Sequence, residues 1–187
     1  EVAPAYGPEK NKKLPSEDLR VACLLSGHYD EGWLNSNREA GFFDIKGIAE
    51  LLISNLGLRQ YEFRSFQHKT LEDGEALTIF SGGECLGYMG TVASEALRIF
   101  DIKQSAWVLE INLSRLEQYA EKEVRYQPPS KFPTAKRDIA MIVKDSVHCE
   151  TILNSITQEG TPLVRNVRLF DVFQGGSIPK GSRSLAF

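Results

Sequence analysis

The sequence predicts an α+β protein in two parts, and three observations carry this prediction. Short runs with strand-like alternation are interleaved with short helical patterns through residues 1–120. Pro128, Pro129 and Pro133 then interrupt the periodicity. After them the pattern follows the order strand, helix, strand, strand. We therefore expect a mainly antiparallel sheet with helices on one side, a proline-stiffened linker over residues 121–133 and a second domain over 134–187.

The amino-terminal segment carries little periodic signal. Residues 1–18 hold Pro4, Pro8 and Pro15 without apolar alternation, which predicts a loop or an incomplete start. Residues 20–25 are largely apolar and stop at Ser26-Gly27, a pattern typical of a short buried strand.

A helix is predicted over residues 45–56. Asp44 stands where a cap or a first-turn acid belongs, and Gly57 stands where a helix ends. Gly47 weakens the helix by roughly 1 kcal/mol relative to alanine, a cost that suggests a close neighbour at that position. Apolar side chains recur at helical spacing, and they are Ile45, Ile48, Ala49, Leu52 and Leu56.

The rest of the first part alternates strands and short helices. Residues 61–66 predict a half-exposed strand, and residues 77–80 and 84–89 predict a hairpin around Ser81-Gly82-Gly83. A short helix over 92–100 is expected to be capped by Thr91. A strand over 106–111 follows, and a capping box that starts at Ser114 opens another short helix.

The second part begins with a strand over residues 132–143. Ser146 is expected to cap a helix that carries Cys149, Ile152, Leu153 and Ile156. A long strand over 164–173, a glycine-rich turn and a strand from residue 183 complete the pattern. The order β-α-β-β is the front of a ferredoxin-like β-α-β-β-α-β unit, with the last helix and strand absent.

Composition and charge limit the classes of protein. No apolar run approaches the roughly 20 residues that a membrane helix needs, and residues 1–4 lack the features of a signal peptide. Cys23, Cys85 and Cys149 lie too far apart for a disulfide or zinc framework, which favours a reducing compartment. Residues 131–187 carry 8 Lys and Arg against 5 Asp and Glu, whereas residues 1–130 carry 14 against 20. An anionic partner would therefore meet the second part.

Catalytic and metal sites are not predicted. Ser26, His28 and Asp30 supply the residue types of a nucleophilic triad, but strand spacing keeps them apart. Asp44 and Glu50 are better explained by helix capping and a solvated face. The glycines at 82, 83, 87 and 90 have neither the spacing nor the strand-turn-helix setting of a phosphate loop.

Basic residues of the second part form the one group with partner-directed chemistry. Lysine and arginine neutralise phosphate, and Phe132, Phe170 and Phe173 are candidates to stack on splayed bases, although strand phenylalanines more often belong to a core. The predicted RNA-binding residues are Lys131, Lys136, Arg137, Arg168, Lys180 and Arg183.

Three ordered motifs carry a family resemblance. They closely resemble the ferredoxin-fold anticodon-binding domain that ends bacterial phenylalanyl-tRNA synthetase beta chains. Upstream, the sequences around residues 42–47 and 86–90 look like the preceding module of that family, a class II synthetase-like fold that has lost catalysis. The three motifs are Phe132-Pro133-x-x-Lys136-Arg137-Asp138-Ile139-Ala140, Leu169-Phe170-Asp171-Val172-Phe173-x-Gly175 and Ile178-Pro179-x-Gly181-x-x-Ser184-Leu185-Ala186.

The resemblance implies a role in a cytoplasmic α2β2 enzyme that joins phenylalanine to its tRNA with ATP and magnesium. In that family the alpha subunit holds the active site, so this chain is expected to bind no cofactor and to be inactive alone. Residues 20–120 would form an inert scaffold, and the second domain would contact the anticodon stem-loop of tRNA(Phe). The alternative is a stand-alone enzyme or a small-ligand sensor with a ferredoxin-like regulatory domain.

Overall fold

The computed structural model describes residues 1–8, 13–29, 38–121, 126, 128 and 131–187. These residues form two compact units, Glu1–Tyr126 (unit 1) and Gln127–Phe187 (unit 2). Both units combine antiparallel sheet with α-helices, which confirms the α+β class. Most of the predicted linker over 121–133 lies outside the described residues. Among the described helices, none is long and apolar enough to cross a membrane.

Unit 1 is built on one large antiparallel sheet. Its strand order is β1-β2-β8-β7-β6-β5, and β3 and β4 form a separate short pair. Its described elements are β1 (Val2–Gly7), β2 (Ser16–Ser26), β3 (His28–Tyr29), β4 (Arg38–Glu39), α1 (Phe42–Asn55), β5 (Glu62–Ser65), β6 (Leu71–Ser81), β7 (Glu84–Val92), α2 (Ser94–Ile99), β8 (Ala106–Asn112) and α3 (Leu113–Tyr119).

Helix α1 covers one face of this sheet. The register places Cys23 opposite Leu109 and Leu109 opposite Met89, so these three side chains lie on one face. Each large apolar side chain buried there contributes roughly 1.5–3 kcal/mol. The fully buried residues of this core include Ile45, Ala49 and Ile53 from α1 and Ile79, Leu86, Met89, Leu109 and Ile111 from the sheet.

The start of α1 is fixed by Asp44. Its carboxylate accepts a hydrogen bond from the Gly41 backbone N–H at 2.8 Å and pairs with the Arg38 guanidinium through two contacts of 2.8 Å. These bonds, chiefly those from Arg38, lower the pKa of Asp44. The helix ends before Gly57, whose φ of +80° suits glycine. The predicted helix is thus confirmed and begins three residues earlier, at Phe42.

The structure corrects the predictions for the amino-terminal segment and for Gly47. The segment over residues 1–18 is not a loop throughout, because Val2–Gly7 pairs with Ser16–Val21 as an edge strand that tolerates Pro4. Gly47 has no close neighbour among the described residues, since a Cβ built on it meets none of their atoms within 4 Å. Its cost to α1 therefore lacks a packing reason.

Helix caps were placed on the wrong residues. Helix α2 begins after Ala93 instead of Thr91, and Glu72 of β6 accepts hydrogen bonds from Ser94. Helix α3 is capped by Asn112, whose side chain accepts from the Arg115 N–H at 2.9 Å, and not by Ser114. The free N–H groups at the start of α2 are satisfied by Glu72 from another strand, and those of α3 by Asn112, two residues before the predicted cap.

The β6–β7 hairpin is confirmed. Gly82 and Gly83 have φ of +57° and +84°, the two left-handed conformations of a type I′ turn. Further along β7, Gly87 allows a close approach of β8. A Cβ on Gly87 would lie 2.1 Å from the Glu110 carbonyl oxygen, so a side chain cannot be accommodated without a backbone shift.

Unit 2 has the predicted order β-α-β-β. Its described elements are β9 (Ala140–Lys144), α4 (Cys149–Gly160), β10 (Asp171–Phe173) and β11 (Ser182–Ala186), and the sheet order is β10-β11-β9. Helix α4 packs on one face of this sheet. The buried hydrophobic residues of its core are Ile152, Leu185 and Phe187, with Met141, Val143 and Val167 among the half-buried neighbours.

The strands and the helix start of unit 2 differ from the prediction in detail. The strand predicted over 132–143 is confined to Ala140–Lys144, although Ile139 exchanges two backbone hydrogen bonds with Phe187. The long strand predicted over 164–173 is only Asp171–Phe173, because only these three of its residues pair with β11, at Ser184–Ala186. Helix α4 begins after His148, not after Ser146.

Candidate nucleic-acid interface

The predicted RNA-binding residues of unit 2 lie mainly on its surface. Five of the six are exposed, and they are Lys131, Lys136, Arg137, Arg168 and Lys180. Residues 131–139 carry three of these cations and have no helix or strand. Within this segment the Arg137 side chain donates to the Lys136 carbonyl oxygen at 2.8 Å. Exposed cations on a segment outside the sheet are available to an anionic partner.

Sheet register divides these cations between two ends of the sheet. Ala140 of β9 pairs with Ala186, and Lys144 pairs with Ser182. Lys136 and Arg137 therefore precede the Ala140 end, whereas Lys180 lies beyond the Lys144 end. Five strand residues separate these ends by roughly 13 Å, given about 3.3 Å per residue. The basic residues thus flank the sheet at both ends instead of forming one cluster.

Arg168 lies at the Ala140 end, on the segment that leads into β10. Asp171, three residues further on, pairs with Ala186, which in turn pairs with Ala140. Arg168 does not lie on a strand, contrary to the prediction from the sequence. It therefore belongs with Lys136 and Arg137 at one end of the sheet, opposite to the end that carries Lys180.

Arg183 differs from the other five residues. It lies opposite Val143 on the face that α4 covers, and its guanidinium donates to the Val147 carbonyl oxygen at 2.9 Å. This contact ties β11 to the loop that precedes α4. Its Nε is buried and meets no hydrogen-bond partner among the described residues. Arg183 therefore makes a structural contact inside unit 2, and its side chain lies on the α4 face of the sheet and not on the other face.

The other face of the sheet is open. We call it the open face of unit 2, and it carries Ile142 and Lys144 from β9, Ser184 from β11 and Phe173 from β10, as alternation and register require. Ile142 is 59% exposed and Phe173 is 54% exposed. An exposed aromatic ring beside small hydroxyl side chains can stack on a base and leave room for hydrogen bonds to its edge.

Sequence reasoning named Phe173 but missed Ile142 and Lys144. Strand alternation carries the signal, because Met141 and Val143 pack on the core and the residues between and after them must face outward. The other two predicted stacking residues have no place on the open face. Phe132 lies on the segment before the sheet and is 81% exposed, and Phe170 lies just before β10 and is 53% exposed.

The described residues bring together no group of three or more His, Cys, Asp and Glu side chains that could hold a metal ion. Unit 2 presents exposed cations and, on its open face, the exposed ring of Phe173 beside the Ser184 hydroxyl. A helix-backed antiparallel sheet with an open face and basic flanks defines a ferredoxin-like binding module. In this chain it follows a larger α+β module.

Two family models match the chain. The model described as "Phenylalanyl tRNA synthetase beta chain CLM domain" matches residues 1–113. The model described as "Ferredoxin-fold anticodon binding domain" matches residues 130–187. The first match covers more than half of the chain, which therefore belongs to the phenylalanyl-tRNA synthetase beta chain family. The resemblance seen in the sequence is confirmed.

Curated relatives give the same result. The chain is 29% identical to the phenylalanine–tRNA ligase beta subunit of Symbiobacterium thermophilum, over 100% of the chain and 21% of that protein. The beta subunit of Geobacillus kaustophilus is 31% identical over 100% of the chain and 23% of its own length. That of Yersinia pestis is 34% identical over 91% of the chain and 21% of its own length. The chain thus spans less than a quarter of these relatives.

Proposed function

We propose that this chain acts as part of the beta subunit of a phenylalanine–tRNA ligase, in which unit 2 binds the anticodon stem-loop of tRNA(Phe). The observation that carries the proposal is the open face of unit 2, with Phe173 exposed and cations beyond both ends of the sheet. Membership of the family and the match of residues 130–187 to an anticodon-binding model support it.

Contacts to phosphates and contacts to bases would have different roles in tRNA binding. Phosphate contacts from Lys136 and Arg137 at one end and Lys180 at the other would position the RNA without reading its sequence. Unpaired bases would then stack on Phe173 and reach Ser184 with their edges. Arg183 is not included among these phosphate contacts, because its guanidinium donates a hydrogen bond to the Val147 carbonyl oxygen.

Unit 1 would serve as a scaffold without catalysis. This role is supported by the match of residues 1–113 to the beta-chain model. ATP, magnesium and the active site would belong to an alpha subunit within a cytoplasmic α2β2 enzyme.

Binding of tRNA by the assembled ligase tests the role of unit 2. With Lys136, Arg137 and Lys180 all changed to Gln, we expect weaker tRNA(Phe) binding and a shallower dependence of log affinity on log salt. The slope should fall by roughly 0.7–0.9 for each phosphate that is no longer neutralised. A control with Lys69, Arg98 and Lys103 changed to Gln removes the same charge from exposed positions of unit 1. An equal reduction of affinity in the two triple variants would contradict the proposal.

The stacking role has its own variant. Phe173→Ala should weaken tRNA binding by roughly 5-fold to 150-fold, which corresponds to about 1–3 kcal/mol for one stacked base. The salt slope should not change, because no cation is removed. Phe132→Ala, in a residue away from the open face, is the matched control.

The scaffold role is tested by assay of the chain alone. With phenylalanine, ATP, magnesium and tRNA(Phe) supplied, we expect no aminoacylation until an alpha subunit and the remainder of the beta subunit are added. Charging by the chain alone would favour the alternative, a stand-alone enzyme.

A further inference from the structure

Unit 1 contains a cavity that its scaffold role does not require. It lies on the second face of the six-stranded sheet, the face that α1 does not cover, and it has a volume of about 560 Å³. That volume is within the usual range for small-molecule sites, about 300–1,000 Å³. Ala22 and Leu24 of β2 and Val108 of β8 supply part of its apolar floor.

Helix α2 and the chain after it form the opposite wall. Ala96, Leu97, Phe100 and Ile102 line the cavity from this side. The wall is attached to β6 by the Glu72 carboxylate, which accepts from the Ser94 N–H at 2.9 Å and from its hydroxyl at 2.8 Å. A wall fixed by hydrogen bonds leaves the cavity preformed, which lowers the entropic cost of binding.

One end of the cavity is polar, and Glu110 is at its centre. The Tyr88 hydroxyl donates to Glu110 Oε2 at 3.1 Å, and the Arg20 guanidinium pairs with Oε1. Tyr88 is further oriented by the His68 ring, whose centroid lies 6.0 Å away in a stacked arrangement. Burial, followed by the charge of Glu110, raises the pKa of Tyr88, so the phenol stays protonated at neutral pH.

Hydrogen-bonding capacity remains at this end. A carboxylate has about four lone-pair sites, and a phenol that donates can still accept. Glu110 and Tyr88 both line the cavity, so they present acceptor sites to a ligand that carries N–H groups. A ligand donor placed there would reach both oxygens, which lie next to each other.

The charges around Glu110 indicate which kind of hydrogen-bond donor a ligand would carry. Arg20 pairs with Glu110 and also lies 3.8 Å from an Asp18 carboxylate oxygen, so one guanidinium stands among two carboxylates. The remaining negative charge favours a cation over an anion, and the apolar walls favour a hydrocarbon body. We propose that this cavity binds a small apolar molecule that carries a protonated amino group, with the ammonium held by Glu110 and Tyr88.

Two probes of the same shape test this site, adamantan-1-amine and adamantane-1-carboxylate. Calorimetric titration of the full chain at pH 7 is expected to give at least tenfold tighter binding of the amine. The preference follows because one probe gains a charge-assisted hydrogen bond to Glu110 and the other meets a like charge. Equal affinity for the two probes, tighter binding of the carboxylate, or binding of neither would overturn the proposal.

The variant Glu110→Gln locates the site. It keeps the shape and an acceptor oxygen but removes the charge, so we expect about a tenfold loss of amine affinity. Glu117→Gln removes the same charge from an exposed position on α3 and should leave amine binding unchanged. An unchanged amine affinity in Glu110→Gln would overturn the proposal.

A second variant guards against a folding defect, since Arg20 loses its charged partner in Glu110→Gln. Tyr88→Phe removes only the hydroxyl and is expected to weaken amine binding by about threefold to tenfold. Circular dichroism establishes that each variant is folded before titration. Unchanged amine binding in a folded Tyr88→Phe variant would contradict the proposal that the Tyr88 hydroxyl holds the ammonium.

Discussion

The sheets of units 1 and 2 share a plan but differ in the apolar surface that their helices bury. In each unit a long helix lies on one face of an antiparallel sheet, and the opposite face carries the candidate binding residues. In unit 1 the covered face includes eight side chains that are fully buried, drawn from α1 and three strands. In unit 2 the buried hydrophobic residues among those described are Ile152, Leu185 and Phe187.

This difference has a consequence for stability. Burial of apolar area supplies most of the free energy of folding, and a small core leaves little reserve once the entropy cost is met. Unit 2 should therefore depend strongly on each of its buried residues. Unit 1 should tolerate a truncation that would unfold unit 2.

The largest expected effect on stability comes from truncating a core residue of unit 2. Leu185→Ala should cost about 2–5 kcal/mol and unfold unit 2 under conditions where unit 1 stays folded. Both tryptophans, Trp33 and Trp107, precede residue 127, so tryptophan fluorescence follows unit 1. We expect circular dichroism to show the unfolding of unit 2 while the fluorescence transition stays in place.

The control for this experiment is Leu163→Ala. Leu163 belongs to unit 2 but is 88% exposed, so its truncation should have little effect. A tryptophan transition that moves together with unit 2 in Leu185→Ala would mean that the two units unfold as one.

A smaller effect is expected in the sheet of unit 1. Gly87→Ala places a Cβ 2.1 Å from the Glu110 carbonyl oxygen and should cost about 1–3 kcal/mol through displacement of β7 from β8. Gly47→Ala, on α1, is the matched control, because its Cβ would meet no atom of the described residues outside the adjoining helix backbone within 4 Å. That change should stabilise unit 1 by roughly 0.5–1 kcal/mol. Urea unfolding followed by fluorescence measures both, and equal shifts would show that the close approach of β8 is unimportant.

The smallest effect concerns helix starts. Hydrogen bonds from Ser94 lower the pKa of Glu72 in the folded protein, whereas the side chain of His148, the N-cap residue of α4, makes no capping hydrogen bond to the described residues. A lowered folded pKa means that the contribution of Glu72 is present above its unfolded pKa, about 4.3, and is lost as pH falls through the lower folded value. The Ser94 amide resonance should therefore shift as pH falls through the lowered folded pKa of Glu72, and it should not shift in Glu72→Gln. Equal shifts in the two proteins would contradict the cap.

Local patterns predicted much of the fold because they depend on neighbouring residues. Apolar periodicity located α1 and β8, two glycines located the β6–β7 turn, and the order of unit 2 followed from its sequence of patterns. The cap of α2 was missed because Glu72 is 22 residues before Ser94 and comes from another strand. The strand Val2–Gly7 was missed because its pairing, not its composition, makes it a strand.

The candidate site was predictable in residue type but not in arrangement. Basic residues of the second part could be named from charge alone, yet their division between two ends depends on the register of β9 with β11. Arg183 shows what alternation could have added. Arg183, Leu185 and Phe187 are two residues apart along the chain, so they lie on the same face of the sheet, and Leu185 and Phe187 are buried there.

The middle position of β11 makes it the natural reporter of unit 2 in amide hydrogen exchange. β11 has hydrogen-bonded neighbours on both sides, whereas β9 and β10 each have one among the described strands. Amides of β11 should exchange only when the whole unit opens, while those on the outer edges of its neighbours exchange by local fraying. The slowest amides of Ser182–Ala186 would thus time the opening of unit 2 separately from that of unit 1.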